Sequence, residues 1–252
     1  MMTEFWLALA VFACLLAASL GAMVISPRLS AHHKDDETNA VIRLVANIFV
    51  VMTSLVFGLM INSSKNTFET VNANSHSYAT NLILLDHSLR SYGIGAREAR
   101  QSLTDYIQQA IEHPTRADDS LKGVSDPAGA ALDRLSDVLM TIQPVEQYHQ
   151  DLASDIRRQF QRIVEQRWTI IEQSEGVIPM PLVGILVAWL VLIFGSFGYR
   201  APRNAIVVTS FVIAAGLLAS AFYLVLDMDI PFRGFIQVSD EPLRRALAEV
   251  RS

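Results

Sequence analysis

Cysteine is almost missing from this chain: Cys14 is the only one, and it lies inside an apolar run. A lone cysteine builds neither a disulfide framework nor a thiolate metal set, so packing is its expected role. Charge is missing from the centres of the apolar runs, which removes the buried carboxylate or lysine that an ion-coupled pump needs. The net charge of -5 comes without a basic face, so nucleic acid is not an expected partner. There is no HExxH pair, phosphate-binding glycine loop or nucleophile elbow, and the Ser, His and Asp residues have no triad spacing. The expectation is therefore a protein that is not an enzyme and uses no cofactor or metal. Lys and Arg are also absent from Met1 to Glu4, where a secretory signal carries its basic region. The first apolar run is read as a retained helix, with a cleaved signal as the alternative.

What the chain has in quantity is apolar sequence, at 51% of residues. It is concentrated in four runs, Phe5 to Ile25, Leu44 to Ile61, Leu182 to Phe197 and Ala205 to Leu226. A hydrocarbon core of roughly 30 Å needs about 20 apolar residues as helix, and each run meets or nearly meets that length. The expected fold class is an all-α membrane protein with four transmembrane helices, two on each side of a long helical insertion. Residues 1–62 hold transmembrane helices 1 and 2, residues 63–176 an extramembrane helical bundle, and residues 177–227 transmembrane helices 3 and 4. Residues 228–252 are left as a C-terminal turn and tail.

The second run does not stop at the membrane surface. Asn47, Ser54, Ile61, Phe68, Ser75, Leu82 and Leu89 repeat every seven residues, as do Val50, Phe57, Ser64, Val71, Tyr78, Leu85 and Tyr92. These are the a and d positions of a heptad. Neither proline nor glycine occurs between Gly58 and Gly93, so one helix is predicted to leave the bilayer and continue for about 27 residues, roughly 40 Å. Its coiled-coil-like seam then needs partners.

Those partners are predicted in order. A helix over Ala96 to Glu112 carries Ala99, Leu103, Tyr106, Ile107, Ala110 and Ile111 on one stripe and ends at His113-Pro114. Thr115 to Ser125 is a loop. Asp126-Pro127 has the form of an N-cap followed by proline at the first helical position. Pro144 opens the last insertion helix, with Val145, Tyr148, Leu152, Ile156, Gln159, Ile163 and Ile170 tracing an imperfect stripe to about Glu172. Gly176, Pro179 and Pro181 break it before the third span, and no strand pattern occurs.

Orientation follows from short-loop charge. Arg28, Lys34, Arg43, Arg200 and Arg203 lie on one side, which the positive-inside rule makes cytoplasmic, leaving both termini and the insertion outside.

Three groups of residues are candidates for chemistry. Asn47, Ser54 and Gly58 share a face of the second span and are joined at its end by Asn62. They form either a pore lining or a packing seam, since polar groups in lipid are kept against protein or water. Asp227, Asp229, Asp240 and Glu241 offer oxygen ligands for a divalent cation. Beside Pro231, Phe232 and Gly234, however, Asp229 is better suited to capping the backbone of a sharp turn, with Phe232 as an interfacial anchor. His32-His33-Lys34-Asp35-Asp36-Glu37 is a solvated loop, because adjacent histidines do not face one ion as an i, i+4 pair does.

The string Leu226-Asp227-Met228-Asp229-Ile230-Pro231-Phe232-Arg233-Gly234, continued by Ser239-Asp240-Glu241-Pro242, resembles the closing motif of the bacterial bestrophin-like membrane family. That motif is Leu-Asp-x-Pro-Phe-x-Gly followed by Ser-x-x-Pro, in a family still designated a domain of unknown function. The match places the family's aspartate on Asp229, with Ile230 in the variable position. Glu37 to Val41, Asn81 to Asp86 and Phe197 to Asn204 resemble further family segments, in order.

The resemblance implies a homo-oligomer in a bacterial inner membrane, similar to the bestrophin anion channels, whose pore is lined by the second helix. Phe49 and Phe57 are present, but the channels' neck and acidic calcium clasp are not matched residue by residue. The resemblance also places the insertion in the cytoplasm, against the charge count. The functional expectation is passive passage of anions or small solutes by a multi-pass protein whose partners are the lipid bilayer and its own copies. The alternative is a pore-less membrane-anchored scaffold or sensor that binds a protein through its helical insertion.

Overall fold

A computed structural model describes residues 2–26, 36–114, 126–144, 146–174, 176–232 and 234–252. Arg28, the segment from His32 to Asp35, the loop over 115–125, Val145 and Arg233 lie outside the described residues. The described elements are all helical: α1 (Met2–Ile25), α2 (Asp36–Tyr92), α3 (Arg97–Glu112), α4 (Pro127–Thr141), α5 (Gln147–Glu172), α6 (Met180–Arg200), α7 (Ala205–Asp229) and α8 (Glu241–Arg251). A single 3-10 turn, Ile94–Ala96, precedes α3. The chain divides into two compact units, one of Met1–Thr67 with Val177–Gln237, the other of Phe68–Gly176 with Val238–Ser252.

The first unit holds the four helices long and apolar enough to cross a membrane, α1, α2, α6 and α7. On α1 the residues Ala8, Val11, Leu15, Ser19 and Met23 recur at helical spacing and are buried, and α1 packs on both α6 and α7. Lipid is as apolar as leucine, so close packing rather than water exclusion must hold such helices together. Gly198 shows the device: a Cβ there would overlap the Ser19 carbonyl oxygen, so only glycine lets α6 approach α1 this closely. At the α6–α7 turn, Arg203 donates to the Met23 carbonyl at 3.1 and 3.2 Å and to that of Val24 at 2.9 Å. A cation thereby satisfies the orphan carbonyls at the C-terminus of α1. Asn204 caps the other side of the turn, accepting from Val207 N at 2.8 Å. Cys14, expected to pack, is exposed instead, because the buried stripe of α1 passes through Val11 and Leu15 and leaves position 14 on the outer face.

The second unit is an ordinary water-excluding core. Leu82, Leu85 and Leu89 of α2 are fully buried with Leu103, Tyr106 and Ile107 of α3, Leu135 of α4, and Ile156 and Ile163 of α5. Here each buried side chain of this size contributes about 1.5–3 kcal/mol relative to exposure. Gly93 ends α2 with φ of 87°, a conformation open to glycine. Asp126 caps α4 as its sequence predicts, accepting from Gly129 N at 2.8 Å with Pro127 at the first turn, and it also accepts from Arg167 at 2.6 Å. Helix α8 falls in the stretch expected to be a tail. Its stripe of Leu243, Ala246, Leu247 and Val250 packs on the core, and the signal for it was the i, i+3, i+4, i+7 spacing after Pro242. Arg90 and Arg100 both reach the α8 carbonyls, Glu249 O at 2.9 Å from Arg90 and Val250 O at 3.2 Å from Arg100. Buried Asp86 holds the two guanidinium groups at 2.5 and 2.8 Å.

Within this core the hydroxyls of Tyr78 and Tyr106 are hydrogen-bonded to each other. Burial pushes the Tyr106 phenol up to about 12, opposed in part by the bond to Tyr78 and the charge of Arg167. A tyrosine ionises at about 10 in the unfolded chain, so its neutral form is favoured by folding. Its contribution of about 2–3 kcal/mol is complete below pH about 10 and is lost as pH rises through about 12.

Two predictions follow from this packing. In thermal unfolding of the purified protein, Gly198→Ala is expected to cost about 1–3 kcal/mol by overpacking, whereas Gly21→Ala, whose Cβ meets nothing within 4 Å, is expected to be neutral or stabilising. In denaturant titrations between pH 9 and 12, Tyr106→Phe is expected to lose less stability than the parent; identical pH profiles would contradict the buried-phenol account.

Candidate functional site

The face that α2 turns inward is set by Ala46, Thr53, Met60 and Ser64, all buried, with Phe49, Val50, Val56 and Phe57 half-buried beside them. Phe57 meets Phe222 of α7 at 5.0 Å between ring centroids, and Phe49 meets Trp189 of α6 at 6.2 Å. The expected seam series from Asn47 therefore does not face the chain's own core in this half. Asn47, Ser54, Gly58 and Asn62 are all exposed, as is Ile61.

The reason is helical geometry. A straight helix drifts about 20° per heptad against a seven-residue repeat, roughly 120° over the six heptads from Asn47 to Leu89. The series of Val50, Phe57, Ser64, Val71, Tyr78 and Leu85 stays buried or half-buried throughout. Its companion series is exposed at Asn47, Ser54 and Ile61, half-buried at Phe68 and Ser75, and buried at Leu82 and Leu89. One helix thus presents a polar stripe outward in its first half and a closed seam in its second.

The stripe is chemically mild. Ser54 Oγ donates to the Val50 carbonyl at 2.8 Å, so its proton needs no further acceptor. A side chain at Gly58 would meet nothing within 4 Å, so no contact within the chain requires glycine there. Arg43, one turn before Asn47, and Lys65, near Asn62, extend the same side of α2 and are exposed.

The turn after α7 is built differently from its sequence expectation. Capping of its backbone, expected from Asp229, is carried by Asp227, whose Oδ2 accepts from Phe235 N and Ile236 N, each at 2.8 Å. Gly234 lies against this carboxylate with φ of 106°, and a Cβ there would overlap Asp227 Oδ1. Asp229 reaches elsewhere: its Oδ2 accepts from Ile178 N at 3.0 Å, joining the end of α7 to the segment before α6. Both aspartates are buried, Pro231 is buried and Phe232 half-buried. The motif's single aspartate is matched here by two with separate tasks, and the Asp-x-Asp spacing was the available signal. Asp240 forms an exposed pair with Arg244 at 2.7 Å, which holds its carboxyl below the usual range. Glu241 stands at 3.8 Å from Arg245.

Four apolar helices, a helical insertion carried on the second and a turn pinned by buried aspartates define a multi-span helical membrane protein. The profile of the Bestrophin-like domain matches residues 13–243, and the chain belongs to that family. Among solved structures it is similar to the crystal structure of a variant of a bacterial bestrophin homolog from Klebsiella pneumoniae. The two share 10% identity and a TM-score of 0.54 over 96% of this chain and 97% of that one, a likeness of fold. No curated protein matches the chain.

The turn yields a prediction. Asp227→Ala leaves two part-buried amides without their charged acceptor and is expected to cost about 2–4 kcal/mol in thermal unfolding. Gly234→Ala is expected to be destabilising as well, and the pair of changes together is expected to cost less than their sum, since both break one contact.

Proposed function

We propose that the protein is an oligomeric, passive channel for anions or small solutes in the bacterial inner membrane, lined by Asn47, Ser54, Gly58 and Asn62 of α2. The observation that carries this reading is the exposure of all four on a helix whose opposite face is packed against its own chain. A polar stripe facing hydrocarbon is costly, so it calls for water or further copies of the chain. Arg43 and Lys65 at the two ends supply a positive field that favours anions, with Glu69 one turn beyond Lys65. The related bacterial bestrophin homolog supports the architecture, and family membership supports the channel class. A pore-less scaffold is less well supported, because the apolar seam it would offer to a partner, Tyr78, Leu82, Leu85 and Leu89, is buried within the chain.

The test is ion flux from proteoliposomes loaded with chloride. Ser54→Leu and Gly58→Leu are expected to reduce flux at least about tenfold by placing bulk in the path while leaving thermal stability within about 0.5 kcal/mol, as surface changes do. No flux from the parent protein, together with a monomer by light scattering in mild detergent, would sink the proposal.

A further inference from the structure

We infer that a cavity within the membrane unit, between α2, α6 and α7, is a binding site for a neutral aromatic ketone of one or two rings. The cavity has a volume of about 330 Å³ and is walled by Phe57, Phe194, Phe197, Phe211 and Phe222. Thr53 also lines it, near the middle of the second span. Thr53 is 7% exposed, and its Oγ1 has no hydrogen-bond partner among the described residues. Its neighbour Ser54 closes the usual bond to the carbonyl four residues back, so the two hydroxyls of this turn are not treated alike.

An unmatched hydroxyl in an apolar wall is a cost that the right occupant removes. An acyl chain would fill the slot and leave the hydroxyl unmatched. An ionised ligand is excluded by depth, since a charge at mid-span is too costly and no lining residue is charged. What remains is a neutral molecule with one acceptor and flat faces. The aromatic lining suits flat faces: Phe57 and Phe222 stand 5.0 Å apart with planes at 48°, and Phe194 and Phe211 6.2 Å apart at 45°, so tilted aromatic packing is already the habit of this wall. An apolar cavity of about 150 Å³ accommodates benzene, so this one has room for two fused rings. Ala214 on the lining is exposed, as is Phe197, so the ligand enters from the hydrocarbon. Ser54 also lines the cavity, so the site borders the proposed conduction path, but ligand binding to Thr53 does not depend on conduction.

The experiment titrates 2-acetylnaphthalene into the full-length protein in nanodiscs, with empty nanodiscs as the reference and 2-isopropylnaphthalene as a hydrocarbon of the same shape. The parent is expected to bind the ketone about 2- to 10-fold more tightly than the hydrocarbon, the range one neutral hydrogen bond supplies. Thr53→Val is expected to erase that preference and keep hydrocarbon binding, and Ala214→Phe to remove both. Equal affinity for the two probes in the parent would make the cavity a slot for acyl chains only and overturn the inference. Absence of saturable binding, or a ketone preference that survives in Thr53→Val, would overturn it too.

Discussion

One constraint organises this molecule: α2 is a single unbroken helix, and a straight helix cannot keep a seven-residue stripe on one side over its whole length. The drift of about 20° per heptad turns the Asn47 series away from the chain's own core in the membrane half and into the core beyond Phe68. Two environments are served by the two ends of that drift. Beyond the membrane half the series runs Phe68, Ser75, Leu82 and Leu89, whose leucines complete a water-excluding seam; in the membrane half it is Asn, Ser and Ile and stays uncovered. Polar residues stand on the exposed face of α2, and that coincidence gives the stripe its interest.

The second recurring device is the satisfaction of backbone groups at helix ends by charge. Arg203 closes the carbonyls of α1, Arg90 and Arg100 those of α8, and Asp227 gathers the amides after α7. Each pairs the sign that a helix terminus or turn requires, and several of these groups are buried or half-buried, where charge-assisted bonds are strongest. Asp86 illustrates the limit of the strategy. Its buried carboxylate holds one guanidinium group on each oxygen, so removal of either arginine leaves it a single partner and removal of both would strand it.

Much of the architecture was legible from residues alone because it rests on strong local signals. Four apolar runs, a stretch free of Gly and Pro from Leu59 to Tyr92, and the Asp126-Pro127 cap all have one physical meaning. The α8 helix was missed because its signal is short and follows a turn motif that reads as an ending. Counting apolar neighbours predicts packing for Cys14, and counting heptads leaves the Asn47 series open to a pore-lining or a packing role, because neither count tracks helical phase. The capping expected of Asp229 falls to Asp227 because it depends on where the chain folds back, and spacing to Pro231 does not encode that. Thr53 gave no sequence signal at all, since only its position behind Ser54 and beside the phenylalanines distinguishes it.

The central claim is that the exposed stripe of α2 faces water rather than lipid. Cysteine accessibility tests it directly, because Cys14 is the only native cysteine and is replaced by alanine at the outset. Single cysteines at Asn47, Ser54, Gly58 and Asn62 are compared with cysteines at Ile48, Leu55 and Leu59 in reconstituted protein, using a charged, membrane-impermeant thiol reagent. The account requires rapid modification of the first four and slow modification of the other three. Slow modification at all seven positions would place the stripe against lipid or protein and contradict it.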